Sequence, residues 1–207
     1  MVTDTERQLR SDAARNVHRI VSAAREAFAD DGPDVPLEEI ARRAEVGIRT
    51  LYRHFPHKGD LVRAVLGQAV AEELVPATER ALEDENPLRG LTTLIEAAMA
   101  IVAREQNILA AARNAGYISP GLSAAFFETL TLLARRAQQA RLLRADLVPD
   151  DLQRIMAMVI SVLWSMDSES EGWRRYLGFL LDGLSPAAAS VQPPAVPVVK
   201  KQDNRLP

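Results

Sequence analysis

A chain of 207 residues with 47% hydrophobic and 26% charged side chains can bury a core, and suits one compact domain or a small domain joined to a larger one. Cysteine is absent, which excludes disulfides and thiolate metal sites and fits a reducing cytoplasm. The net charge of −3 is unevenly placed: residues 1–58 are neutral and hold all three histidines, so the acidity lies in the rest.

The opening MVTDTERQLRSD has no apolar run, so no secretory signal is expected there. No stretch approaches about 18 uninterrupted apolar residues, and no membrane partner is expected. The periodicity predicts an all-α chain. Val17, Ile20, Val21, Ala24 and Phe28 follow the i, i+3, i+4, i+7 rhythm of an amphipathic helix that Gly32-Pro33 closes. Leu37, Ile40, Ala41 and Ala44 repeat it in a short second helix after Pro36. A third runs from Ile48 to His54, ended by Pro56 because proline disfavours helix at the residue before it. Leu61, Val62, Val65, Leu66 and Ala69 carry the next helix to Pro76, where a kink or a stop is expected.

DENP, Asp84 to Pro87, punctuates the chain and is expected to mark a boundary between sub-domains, which would set Ala81 and Leu91 in different ones. Leu91, Leu94, Ile95, Ala98 and Val102 give another helix, and a shorter one follows around Ile108 to Arg113. Ser119 is the expected N-cap of a helix beginning at Pro120 and reaching Leu142. Pro149 opens a helix to Met166, with Asp150 and Asp151 at the positive end of its dipole. A last helix spans Trp173 to Leu184. From Ser185 the chain is rich in Pro, Ala and Val, and disorder is expected.

From Val46 to Lys58 there is no Asp or Glu, while Arg49, Arg53, Lys58, His54 and His57 gather there. Two short helices separated by four residues match helix-turn-helix spacing. On the second, Ile48, Leu51 and Phe55 must point inward. Arg49 and Arg53 then share the outer face, with Thr50 and His54 beside them and Tyr52 at the flank. Arginine can give two hydrogen bonds to guanine, threonine can touch a thymine methyl, and Tyr, His and Lys can hold phosphates. Carboxylates would be repelled by phosphate, which accounts for their exclusion.

The segment IVSAAREAFADDGPDVPLEEIARRAEVGIRTLYRHFPHKGDLVRAVL resembles the DNA-binding domain of TetR-family transcriptional regulators. The resemblance rests on AAREAF…DG, LEEIARRAEV and above all TLYRHFPHKGDL. It implies that Thr50, Tyr52, Arg53, His54 and Lys58 contact operator DNA and that Arg49 reads bases. Three positions depart from the pattern. Glu45 stands where the turn glycine is common, Gly47 where serine is common, and Pro36 replaces a threonine or serine at the start of the second helix.

The same resemblance implies a helix-turn-helix domain over residues 11–58, a helical effector-binding and dimerisation domain over 59–184, and a tail over 185–207. The family dimerises through its last two helices, which places Leu152, Ile155, Val159, Ile160, Leu163, Leu177, Leu180 and Leu181 at a homodimer seam. Its pocket position falls on Met99, Val102, Phe126, Phe127, Leu130 and Trp164, whose apolar character points to a small hydrophobic effector. Arg141 stands where a helix-ending glycine is frequent.

Catalysis would need a base, nucleophile or metal constellation. The chain has no Cys, no Gly-rich phosphate loop and no HExxH, so neither an enzyme nor a metal or other cofactor is expected. The rival reading is a helical interaction module without operator binding. Acids inserted in the third helix would mark it, and none is there. The expectation is a dimeric repressor that leaves a palindromic DNA operator when it binds a small effector.

Overall fold

The computed structural model describes residues 4–114, 120–166 and 171–195. Among these residues the regular elements are helical: α1 (Asp4–Asp31), α2 (Leu37–Arg43), α3 (Ile48–His54), α4 (Lys58–Ala69), α5 (Val75–Glu83), α6 (Pro87–Arg104), α7 (Gln106–Asn114), α8 (Pro120–Gln139), α9 (Pro149–Leu163) and α10 (Trp173–Gly183). Ser119 and residues 196–207 lie outside the described residues. The chain divides into two compact units, residues 1–76 with 100–119, and residues 77–99 with 120–207. These limits differ from the division at residues 58 and 59, because α4 and α7 pack with the first three helices.

In the first unit, Ile20, Ala24 and Phe28 of α1 meet Ile40 and Ala41 of α2, Leu51 of α3, Leu61, Val62 and Val65 of α4, and Ile108 and Ala111 of α7. Each large side chain so buried contributes about 1.5–3 kcal/mol. Helix α1 ends where expected. Gly32 takes φ +86, and its N–H donates to the Phe28 carbonyl at 3.1 Å. Asn107 of α7 donates its side-chain amide to the same carbonyl at 3.0 Å, tying α7 to that end.

Helix does not stop at Pro76. A π-turn, Val70–Leu74, lies between α4 and α5, and α5 runs on through the proline. Pro76 lacks an N–H and its ring crowds the carbonyl four residues back, so the preceding turn widens. The Val75 N–H accordingly reaches Val70, five residues earlier.

In the second unit the DENP segment builds the start of α6. The Asn86 side-chain oxygen accepts from the Leu88 and Arg89 N–H groups at 3.1 and 3.2 Å, and Asp84 takes the Arg89 guanidinium at 2.7 Å through both oxygens. Gly90 is required, because a Cβ there would run into the Ala81 carbonyl. At α9 the Asp151 carboxylate accepts the Val148 N–H at 3.0 Å. Leu152, Met156, Val159 and Leu163 of α9 are buried, as are Trp173 and Leu177 of α10. The start of the tail is held: Arg144 donates to the Ser190 carbonyl at 3.0 Å, and Ser185 caps a 3₁₀ turn, Pro186–Ala188.

Candidate nucleic-acid interface

Two hydrogen bonds running back to α2 make the turn between α2 and α3. Glu45 N–H donates to Arg42 at 3.2 Å and Val46 N–H to Ala41 at 3.0 Å, the pair that closes a helix through a left-handed residue. That residue is Glu45 at φ +53, so the turn keeps its left-handed geometry without glycine. A side chain in that region costs about 1–2 kcal/mol. Arg141 at φ +58 ends α8 by the same pair of bonds. Gly47 begins α3 with its carbonyl, which accepts from Thr50 N–H at 2.8 Å, and no side chain caps this end. Pro36 likewise gives α2 no side-chain cap.

Helix α2 is clamped by charge. Arg43 donates to Asp30 at 2.7 Å, to Asp31 at 2.6 Å and to Glu39 at 2.9 Å, so one guanidinium joins α2 to the carboxylates ending α1. Those two carboxylates sit at the negative end of the α1 dipole and need a cation. Arg42 takes both oxygens of Glu39, Oε2 at 2.8 Å and at 2.7 Å the Oε1 it shares with Arg43. The hydrogen bonds from Arg42, then Arg43, bring the Glu39 carboxyl down to about 2.

Helix α3 is different. Leu51 is fully buried and Phe55 nearly so, which fixes the inner face. Arg49 and Arg53, one turn apart, are exposed, and among the described residues neither has an ion-pair partner. Tyr52 is 44% exposed, and Thr50 is half-buried beside it. The six positions expected to touch DNA are therefore not equivalent. His54 buries its Nε2 without a hydrogen-bond partner among the described residues, so that edge of the ring faces protein.

Lys58 is committed elsewhere. Its ammonium donates to the Pro33 carbonyl at 3.0 Å and the Val35 carbonyl at 2.8 Å, and lies 5.5 Å from the centre of the Phe28 ring. Burial lowers its pKa, with Asp34 acting in the opposite direction. Sequence reasoning placed this cation on phosphate and missed the Arg43 clamp altogether. Both depend on partners more than ten residues away, which periodicity does not report.

The expected seam and pocket residues scatter. Leu152, Val159, Leu163 and Leu177 are buried inside the chain, whereas Ile155, Ile160, Leu180 and Leu181 are half-buried. The exposed apolar side chains of this region are Met158, Trp164, Tyr176 and Phe179. Of the pocket set, Met99 and Leu130 are fully buried, Val102, Phe126 and Phe127 half-buried, and Trp164 exposed. Val102 counts with the first unit and the other five with the second, so they form no set within one unit. An open groove of about 700 Å³ in the second unit is lined instead by Arg144, Leu147, Arg154, Ile155, Met158 and Pro194, among others. Among the described residues no helix is long and apolar enough to cross a membrane.

Residues 20–65 match the model of the bacterial regulatory proteins of the tetR family. The crystal structure of a TetR transcription regulatory protein from Mycobacterium vanbaalenii is 35% identical, with 86% of this chain and 99% of that one aligned at a TM-score of 0.58. A TetR transcriptional regulator from Streptomyces coelicolor is 27% identical over 83% of this chain and 99% of its own, at a TM-score of 0.60. An HTH-type transcriptional regulator of Staphylococcus aureus is 37% identical over 59 residues, 28% of this chain and 32% of the relative. The chain thus spans about a third of the length of the curated relatives it matches.

Proposed function

The chain belongs to the TetR family of transcriptional regulators, and from that premise we propose that it binds operator DNA as a dimer and is released by a small apolar effector. The observation that carries the DNA half is the α3 surface. Two arginines stand bare one turn apart, on a helix whose opposite face is locked into the core by Leu51. A cation held in the protein by its own carboxylates has little left for phosphate or guanine. Arg49 and Arg53 are not so held. Arg49 reads a base edge, and Arg53, Thr50 and Tyr52 hold the backbone. The reader is residues 11–58, with α4 and α7 packed on it, and the helices within 59–184 serve effector binding and dimerisation.

Dimerisation is supported by the apolar side chains that α9 and α10 leave uncovered, Met158, Tyr176 and Phe179. One recognition helix covers too little surface for tight specific binding, whereas a two-fold pair reads two half-sites. An apolar effector is favoured by the character of Met99, Leu130, Phe126 and Phe127. Repression follows if the effector prefers the conformation that cannot hold both half-sites.

The test is selection from random-sequence duplexes, followed by anisotropy on the enriched sequence. A two-fold symmetric sequence should emerge, and Arg49→Ala should relax its base preference. No enrichment, or an unchanged affinity in the Arg49→Ala/Arg53→Ala double variant, would rule the reading out. Light scattering of the unmutated chain at micromolar concentration should give a dimer, and Met158→Glu with Phe179→Glu a monomer.

A further inference from the structure

Four charged residues of the first unit close on one another at the π-turn. Arg25 of α1 donates from Nε to Glu105 Oε1 at 2.8 Å and from Nη2 to Glu73 Oε1 at 3.2 Å. Arg104, the last residue of α6, donates from Nε to Glu105 at 3.1 Å and pairs through Nη2 with Glu73. Glu72 lies 3.7 Å from Arg25 and accepts from Gln68 at 2.7 Å. The Glu105 side chain is 3% exposed, at the one-residue break between α6 and α7. A carboxylate buried that deeply persists only because two guanidinium groups reach it.

The location matters more than the pairing. Glu72 and Glu73 belong to the π-turn, the one departure from α geometry between Lys58 and Glu83. A π-turn closes or migrates only by changing the hydrogen-bond register of the helix beside it. Pro76 keeps it in the register seen, and the ion set fixes where it lies against α1 and the α6–α7 break. The chain leaves the first unit just after this turn, at Pro76, and re-enters it at Ala100, four residues before Arg104. The Glu73–Arg104 pair therefore joins the outgoing and returning segments. Arg25 joins both to α1, one turn before Phe28, whose ring packs in the same core as Leu51 of α3 and Leu61 of α4.

We propose that Arg25, Glu73, Arg104 and Glu105 are positioning residues for the DNA reader, holding the π-turn against α1 and the α6–α7 break and setting the place of α1 and α4 with it. Release from the operator then proceeds by opening this set. The proposal rests on the reading of the chain as an effector-released DNA-binding regulator, and it names where in the first unit that release is controlled. None of the four touches DNA. Their effect passes through the spacing of α1 and α4 around α3.

The test uses the full chain. Glu105→Gln removes the buried charge that both guanidinium groups reach and can fail to fold, so Glu73→Gln, at the more exposed carboxylate, is the informative variant. Amide hydrogen exchange of the free protein should be about tenfold faster at Val70–Val75, because the charge that Arg25 and Arg104 both pair with is lost. Amides of α2 and α3 should not change. Affinity for the selected duplex should fall several-fold, with an unchanged slope against salt because no phosphate contact is lost. Glu73→Asp, which keeps the charge, should recover part of both effects. Unchanged exchange at Val70–Val75 would overturn the proposal, and so would faster exchange with unchanged affinity. A chain that selects no duplex would instead sink the DNA reading, a failure that the exchange data alone cannot imitate.

Discussion

Helices α2 and α3 are each seven residues long, and each carries two arginines, yet they use them in opposite ways. Arg42 pairs with Glu39, and Arg43 with Glu39, Asp30 and Asp31, so both have carboxylate partners within the fold. Arg49 and Arg53 stand on a surface from which carboxylates are excluded. Helix α2 carries Glu38 and Glu39 beside its arginines, and α3 carries no acid. What separates them is whether an acid lies within reach, and this divides cations that build the domain from cations left for a polyanion. Lys58 falls on the α2 side of that division although it sits next to α3 in sequence, because backbone carbonyls satisfy it.

The comparison can be broken most directly on α3. Arg49→Ala and Arg53→Ala should each cost about 1–3 kcal/mol of operator affinity and leave the melting temperature unchanged. Arg43→Ala should do the reverse first, lowering the melting temperature and weakening DNA binding only as α2 loosens from α1. If Arg43→Ala melted like the parent chain, the clamp would not be structural. Calorimetry beside anisotropy separates the two effects.

Lys58 sharpens the division. Arg53→Ala should make the slope of log affinity against log salt shallower by about one unit, since a phosphate contact is lost. Lys58→Met keeps a stem over the Phe28 ring but no donor for Pro33 and Val35. It should leave that slope unchanged while lowering stability. A slope shallower by a full unit in Lys58→Met would return Lys58 to the phosphate contacts.

The joint between the two helices should respond in the other direction. Glu45→Gly removes a side chain from the left-handed region, and should stabilise the free protein by about 1 kcal/mol in urea titration. It tests whether the turn, not the clamp, sets the register of α3. The smallest effect is on pH. Glu39 has a carboxyl lowered to about 2 in the fold, so its contribution is complete above the ordinary carboxylate range. That contribution is lost as pH falls through about 2. The free protein should therefore lose stability progressively below about pH 4, and Glu39→Gln should flatten that part of the profile.

Much of this was legible in the residues. The short-range rhythm of Leu37, Ile40, Ala41 and then Ile48, Leu51, Phe55 sets two helices and their inward faces, because helical period and burial are local properties. The outward position of Arg49 and Arg53 follows from the same period. Gly32, the DENP cap and Asp151 announced helix ends through hydrogen bonds that span five residues or fewer. Glu45 and Arg141 stood in glycine positions of the family pattern, and the structure answered how: both take the left-handed conformation.

What the tertiary structure alone decided lies at longer range. Leu152, Val159, Leu163 and Leu177 look as suited to a subunit seam as to a core, since hydrophobicity says that a face is covered but not by what. The chain covers those four itself and leaves Met158, Tyr176 and Phe179 bare. Lys58 reads as a phosphate ligand until Pro33 and Val35 arrive from the connection between α1 and α2. Nothing in the residues around Glu105 announces the Arg25 guanidinium that reaches it from 80 residues away. Sequence spacing sets which way a side chain points from its own helix. The group it meets is set by where other helices pack, and that depends on the summed shape of a core that no local window contains.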